Sequence, residues 1–257
     1  MSMATRVVLL GASNLTLGLS TVLRTARSTL GPGPMQVFVA AGHGRSYGQW
    51  SRVLFRGLPG ILQCGLWAAA AKATGAGMYA LVTDIGNDLA YGTSPGDLAR
   101  WVGVCLDRLG EIGADTALTL LPAPSLSRLP PWQYHLFKAL LYPGRGLPFV
   151  ALQDRVAEVN ERLMDLASRR RVTLVEPKAR WYGADAIHIR RSQRAAAWAE
   201  ILSGWERPSD QAPAPPPASS RLACRGLRPE RRTLFGIRLR RPQPSGVFPD
   251  GTVVSLF

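Results

Sequence analysis

The sequence predicts an α/β sandwich of three layers, with a five-stranded, mostly parallel sheet between helices. Two observations carry this. Five short apolar runs rich in β-formers, Val7–Leu10, Gln36–Ala40, Met78–Thr83, Ala117–Leu121 and Val172–Val175, are ended by Gly, Pro or Asp, as strands buried on both faces are. Segments of helical period lie between them, and alternating strands and helices build parallel sheets.

The first run follows MSMATR directly and breaks at Gly11, too short for a signal-peptide core. Ser94-Pro95 opens the clearest helix, an N-cap followed by proline in the first turn. Leu98, Trp101, Val102, Cys105, Leu106 and Leu109 then form one apolar stripe. A second helix is expected from about Gln153 to Arg170, with Val156, Val159, Leu163 and Leu166 inward, and a third over Arg190–Trp205 with Ala197, Trp198, Ile201 and Leu202. Composition changes after Trp205. We expect a main domain over 1–206, a Pro/Ala-rich linker over 207–220 and a basic tail over 221–257. Asp250-Gly251 between β-prone pieces is a hairpin turn signal within that tail.

With 46% hydrophobic residues and 27.8 kDa, the chain can bury a sizeable core. No apolar run is long enough to span a bilayer, so no transmembrane segment is expected, and a cytoplasmic protein fits best. The three cysteines, Cys64, Cys105 and Cys224, form neither a disulfide framework nor a CxxC zinc pattern. The net charge of +14 invites a nucleic-acid reading. Against it, 28 of the 31 basic residues are arginines in an Ala/Gly/Pro-rich chain, a compositional bias. No aromatic-interleaved RNA motif accompanies the arginines either. Nucleic acid is therefore not the expected partner. The tail, with nine basic and three acidic residues after 206, carries a net +6 of that charge.

Ligands of parallel sheets bind at the carboxyl ends of the strands. There the sequence places Gly11-Ala12-Ser13-Asn14, then Gly42-His43-Gly44, then Asp84-Ile85-Gly86-Asn87-Asp88, and finally Asp185-Ala186-Ile187-His188 before the last helix. A serine needs a base to become a nucleophile; His188 can serve, with Asp185 fixing its tautomer. The N–H groups of Ser13 and Gly44 and the Asn87 amide suit a developing oxyanion.

Ser, Gly, Asn and His at successive strand ends, with Asp three before His, resemble the SGNH (GDSL-type) hydrolases over residues 6–204. The resemblance implies a flavodoxin-like sandwich and a serine hydrolase working through an acyl-enzyme on an ester or thioester. It implies the catalytic set Ser13, Asp185 and His188, and an oxyanion hole of Ser13, Gly44 and Asn87, with Gly44 fitting the family's offset better than Gly42. No metal or other cofactor is implied; the implied partner is a small-molecule or carbohydrate ester, and oligomeric state is left open. Two departures mark a divergent member. Ala12 stands where the family has an acid before the serine, and the glycine of Ile-Gly-Asn-Asp lies one place late.

Simpler readings stand beside these. Ser13 can cap a helix, Asn87-Asp88 can form a turn, and Trp181-Tyr182 can fill core rather than line a pocket. His43 reads as a loop residue, and His135 lies in a Pro-rich insertion, Ser125–Pro148, with the composition of a lid. Gly44-Arg45-Ser46-Tyr47-Gly48 matches the G-x-S-x-G nucleophile elbow. Only two strands precede it and no HGGG-like segment lies upstream, which disfavours Ser46 as nucleophile. No G-x-G-x-x-G follows the first strand, which argues against dinucleotide binding. The competing class of function is a catalytically inactive binding or scaffold module acting through the basic tail.

Overall fold

A computed structural model describes residues 3–128, 130, 148–183, 185–205 and 224–257. In chain order its first half runs β1 (Thr5–Leu10), α1 (Ser13–Leu30), β2 (Met35–Ala40), β3 (Ser51–Val53), β4 (Arg56–Leu58), α2 (Leu66–Lys72), β5 (Ala76–Val82), α3 (Asn87–Ala90) and α4 (Pro95–Glu111). There follow β6 (Ala114–Thr119), α5 (Ala123–Leu126), α6 (Phe149–Ser168), β7 (Val172–Val175), α7 (Arg194–Ile201), β8 (Arg231–Leu234), β9 (Ile237–Arg240), β10 (Gly246–Val247) and β11 (Thr252–Leu256). Residues 129 and 131–147 of the Pro-rich insertion, His135 among them, and the expected linker 207–220 lie outside the described residues.

The five expected strands pair in parallel, in the order β2-β1-β5-β6-β7. Their alternating residues feed two cores. Val8, Leu10, Phe38, Ala80, Val82 and Leu118 face α2, α4 and α6, while Val7, Leu9, Val37, Val39 and Leu81 face α1 and α7. A period-two chain buried on both sides makes the three layers. The α4 stripe is buried as its spacing predicts, and the Ser94 hydroxyl accepts from the Asp97 N–H at 3.1 Å to cap the helix. On the other face α1 and α7 approach closely at Gly18, where a Cβ would lie 2.4 Å from Trp198 Nε1. Trp181 and Tyr182 join Trp198 and Trp205 in that core, so they fill space.

The sheet has seven strands rather than five. β11 pairs in parallel with β2, from Thr252 opposite Met35 to Leu256 opposite Val39, and β10 pairs antiparallel outside it across the Asp250-Gly251 turn. The expected hairpin therefore forms, but as the edge of the main sheet. In its described part, 224–257, the tail expected over 221–257 packs on the main sheet. Val254 and Phe257 are buried, and the Phe257 ring stacks 6.5 Å from Phe38. Arg27 of α1 clasps the turn through Asp250 at 3.2 Å and Thr252 Oγ1 at 2.5 Å. An open parallel edge at β2 is a template for a further strand, but its occupant lies some 200 residues away in sequence. A second sheet, antiparallel in the order β3-β4-β8-β9, joins the segment after β2 to the arginine-rich strands. Among the described residues no helix is long and apolar enough to cross a membrane.

Candidate active site

Because β1, β2, β5, β6 and β7 run in parallel, the residues following them gather at one edge of the sheet. Ser13 opens α1 there. The preceding residue, Ala12, has no side-chain cap to offer. Asp84, at the end of β5, supplies it from outside: its Oδ2 accepts from the Ala12 and Leu15 N–H groups at 3.0 Å each. Asp84 holds a left-handed φ of +57° to do so, a conformation that short polar residues tolerate. An acid absent from the residue before the serine thus arrives from another strand end. The helix is capped without using the Ser13 hydroxyl.

That hydroxyl oxygen lies 3.0 Å from His188 Nε2, and His188 Nδ1 lies 2.8 Å from Asp185 Oδ2. Asp185 Oδ1 accepts from the backbone N–H of His188 at 2.9 Å and of Ile187 at 3.3 Å. Ala186, with φ of +55°, makes the tight turn that folds the carboxylate back under its own ring. Burial opposes ionisation of Asp185, but the hydrogen bonds from the His188 ring, its backbone and Ile187 outweigh it, and the carboxyl stays below its ordinary value.

Asn14 locks this segment to α1. Its amide donates to Asp84 Oδ1 and to the Ile187 carbonyl, both at 2.8 Å, and its Oδ1 accepts from the Ile189 N–H at 2.7 Å. The two backbone partners bracket His188. Asn14 and Asp84 stand within the strand-end blocks of the sequence, which gives neither of them a role. Nothing local could, since the contacts close over 70 and 173 residues.

Gly44, in the loop after β2, has φ of +63°, and a Cβ there would lie 2.3 Å from Val53 Cγ2; only glycine fits. Its carbonyl accepts from the Tyr91 hydroxyl at 2.6 Å. Tyr91 ends the short helix that Asn87 begins, which ties the Asn87 turn to the Gly44 loop. Asp88 adds a second tie, accepting the Ser46 hydroxyl and, at 2.9 Å, the Tyr47 N–H. Tyr47 reaches beneath the strand ends to the Thr83 carbonyl at 2.7 Å. Among the described residues the N–H groups of Ser13 and Gly44 and the Asn87 side chain donate to no protein group. Asp88 is fully buried, and burial pushes its carboxyl up to about 6 against the hydrogen bonds from Ser46 and Tyr47.

Ser46, in the G-x-S-x-G match, is also fully buried, and its oxygen accepts from the Gly48 and Gln49 N–H groups at 3.2 and 3.0 Å. It organises the loop. His43 is exposed between Gly42 and Gly44. Partial desolvation of its ring by the surrounding loop and the charges of Arg56 and His188 lower its pKa, with Asp84 opposing. Among the described residues no group of three or more His, Cys, Asp or Glu side chains converges on a common point for a metal ion.

Solved structures share this fold at low sequence identity. An inhibitor-bound aryl esterase from M. smegmatis aligns with a TM-score of 0.51 and 16% identity, over 78% of this chain and 97% of that one. A member of the lipolytic G-D-S-L family from Veillonella parvula aligns with a TM-score of 0.49 and 11% identity, over 78% and 97%. The psychrotrophic esterase EstA from Pseudoalteromonas sp. aligns with a TM-score of 0.48 and 13% identity, over 77% and 96%. A scan against protein-family models and a search of the curated proteins each found no match.

Proposed function

We propose that this chain, a divergent member of the SGNH/GDSL-type hydrolases, is a serine esterase that forms an acyl-enzyme on Ser13. The observation that carries the reading is the continuous line from Ser13 Oγ through the His188 ring to Asp185, with contacts of 3.0 and 2.8 Å. The substrate class is a small-molecule or carbohydrate ester, or a thioester.

Each step has an assigned group. The Ser13 hydroxyl gives its proton to His188 Nε2 as the oxygen attacks the acyl carbon. The imidazolium so formed faces the Asp185 carboxylate, which keeps the ring oriented. Negative charge on the carbonyl oxygen is taken up by the Ser13 and Gly44 N–H groups and the Asn87 amide. The α1 N-terminus adds its dipole. His188 then returns the proton to the departing alkoxide or thiolate, and water, activated by the same ring, releases the acid.

A fluorophosphonate probe, located by peptide mass spectrometry, tests the nucleophile. Labelling at Ser13, lost in Ser13→Ala together with hydrolysis of a p-nitrophenyl ester, is the expected result. Labelling at Ser46 instead overturns the assignment. Folded protein that takes up no label, binds polyanions steeply with salt and loses that binding when the exposed Arg231, Arg238 and Arg240 are changed to Gln supports the inactive binding module.

A further inference from the structure

The antiparallel sheet that covers the Gly42–Gly44 loop presents an arginine to the site. Val53 and Arg56 are paired across β3 and β4, and Arg56 and Leu58 are two residues apart on β4, so all three side chains share one face. That face packs on the loop. Val53 lies over Gly44 and Leu58 over Gly42, where an added Cβ would meet Leu58 Cδ1 at 2.1 Å. Arg56 shares that face with them, and its charge, like that of His188, acts on the His43 ring.

The surroundings leave this guanidinium uncompensated. Arg56 is half-buried, and its Nε is buried with no hydrogen-bond partner among the described residues. Neither it nor Arg232 forms an ion pair among the described residues, and the positive charges of Arg232 and Arg228 both act on Arg56. Arg232 lies on the same face, because its neighbour Leu234 pairs with Arg56. The adjacent acid, Glu230, is engaged by Arg231 and Arg240 at 3.7 and 3.4 Å. Holding like charges together beside a half-buried, unpartnered N–H costs stability unless an anion completes the group. A planar guanidinium suits the oxygens of a carboxylate or phosphate.

We infer that Arg56 is a specificity-determining residue: the ester this chain cleaves carries a carboxylate or phosphate that Arg56 binds beside the Gly42–Gly44 loop, with Arg232 reinforcing it. This rests on the esterase reading for the reaction but not for the anion site. Two matched ester pairs test it. Mono-p-nitrophenyl adipate against p-nitrophenyl hexanoate places the carboxylate on the acyl side; 4-acetoxybenzoate against phenyl acetate places it on the alcohol side. The expected result is a preference of about tenfold or more in kcat/KM for the anionic member of one pair, expressed mainly in KM and weakened by salt. In Arg56→Gln that ratio falls to about one, and Arg56→Lys restores part of it. Inorganic phosphate that competes at low millimolar concentration marks phosphate as the favoured group; poor competition with the preference intact marks carboxylate. No preference in either pair, or equal loss for both members in Arg56→Gln, overturns the inference. Calorimetric titration of Ser13→Ala with mono-p-nitrophenyl adipate and with phosphate decides the site without turnover. With 4-acetoxybenzoate titrated as well, binding of any one of the three that is abolished by adding Arg56→Gln supports it, and binding of none, or binding unchanged in Arg56→Gln, refutes it, even if no ester is ever cleaved.

Discussion

Asn14→Ala removes three hydrogen bonds of 2.7–2.8 Å, two of them to the backbone groups flanking His188 and one to Asp84. At about 1 kcal/mol net for each, discounted for partial exposure, some 2–3 kcal/mol of preference for the productive position of the 185–189 turn is lost. That corresponds to a fall of about 30- to 150-fold in the equilibrium constant for seating His188 against Ser13, which is the upper limit of the fall in the share of molecules so arranged. We expect kcat for p-nitrophenyl acetate and the rate of fluorophosphonate labelling to drop together by that order, with KM little changed. Asn14→Asp keeps the acceptor for Ile189 but sets a second carboxylate against Asp84, so it does no better than alanine. An Asn14→Ala protein that melts at lower temperature yet keeps kcat within about threefold would refute the reasoning. His188 would then be held by the Ala186 turn and Asp185 without help from α1.

Gly44→Ala forces a Cβ at φ of +63° to within 2.3 Å of Val53 Cγ2; we expect esterase activity to fall by two orders of magnitude or more, and activity near wild type would remove Gly44 from the oxyanion site. Asp88, raised from 3.8 to about 6, keeps a proton in the folded state that the unfolded chain has lost between those values. Its contribution therefore makes stability fall as pH rises from about 4 to 6, by up to about 3 kcal/mol. Urea unfolding across that range should show the slope in wild type and its loss in Asp88→Asn; parallel curves would contradict the assignment. Truncation to residues 1–206 strips β11 from the β2 edge and uncovers Phe38. We expect aggregation or loss of a cooperative melt, whereas a soluble fragment melting like the full chain would restore the separate-tail reading.

The layered α/β fold was legible because its signals are local and periodic. Val7–Leu10 and its counterparts announce strands by apolar continuity. The α4 stripe and its Ser94-Pro95 start announce a helix, and ligand chemistry follows at the strand ends. The blocks holding Ser13, Gly44, Asn87, Asp185 and His188 stood out by their place after the strands, and the family resemblance suggested the individual residues, Gly44 rather than Gly42 among them. Their approach was not legible: the 3.0 Å contact of Ser13 with His188 spans 175 residues. The full burial of Ser46 is a property that a five-residue pattern does not encode.

Residue order and hydrophobic period therefore determined by themselves which segments become strands and helices, and which polar residues arrive at the functional edge. Tertiary structure alone decided that β11 closes the β2 edge and that Asp84 supplies the carboxylate Ala12 lacks. It alone set Asn14 against the histidine turn and Arg56 beside the Gly42–Gly44 loop. The physical reason is the range of the interactions. Period and capping act within a few residues of chain, whereas an open sheet edge, an uncapped helix start and an unpartnered guanidinium are completed by whatever group folding brings near them.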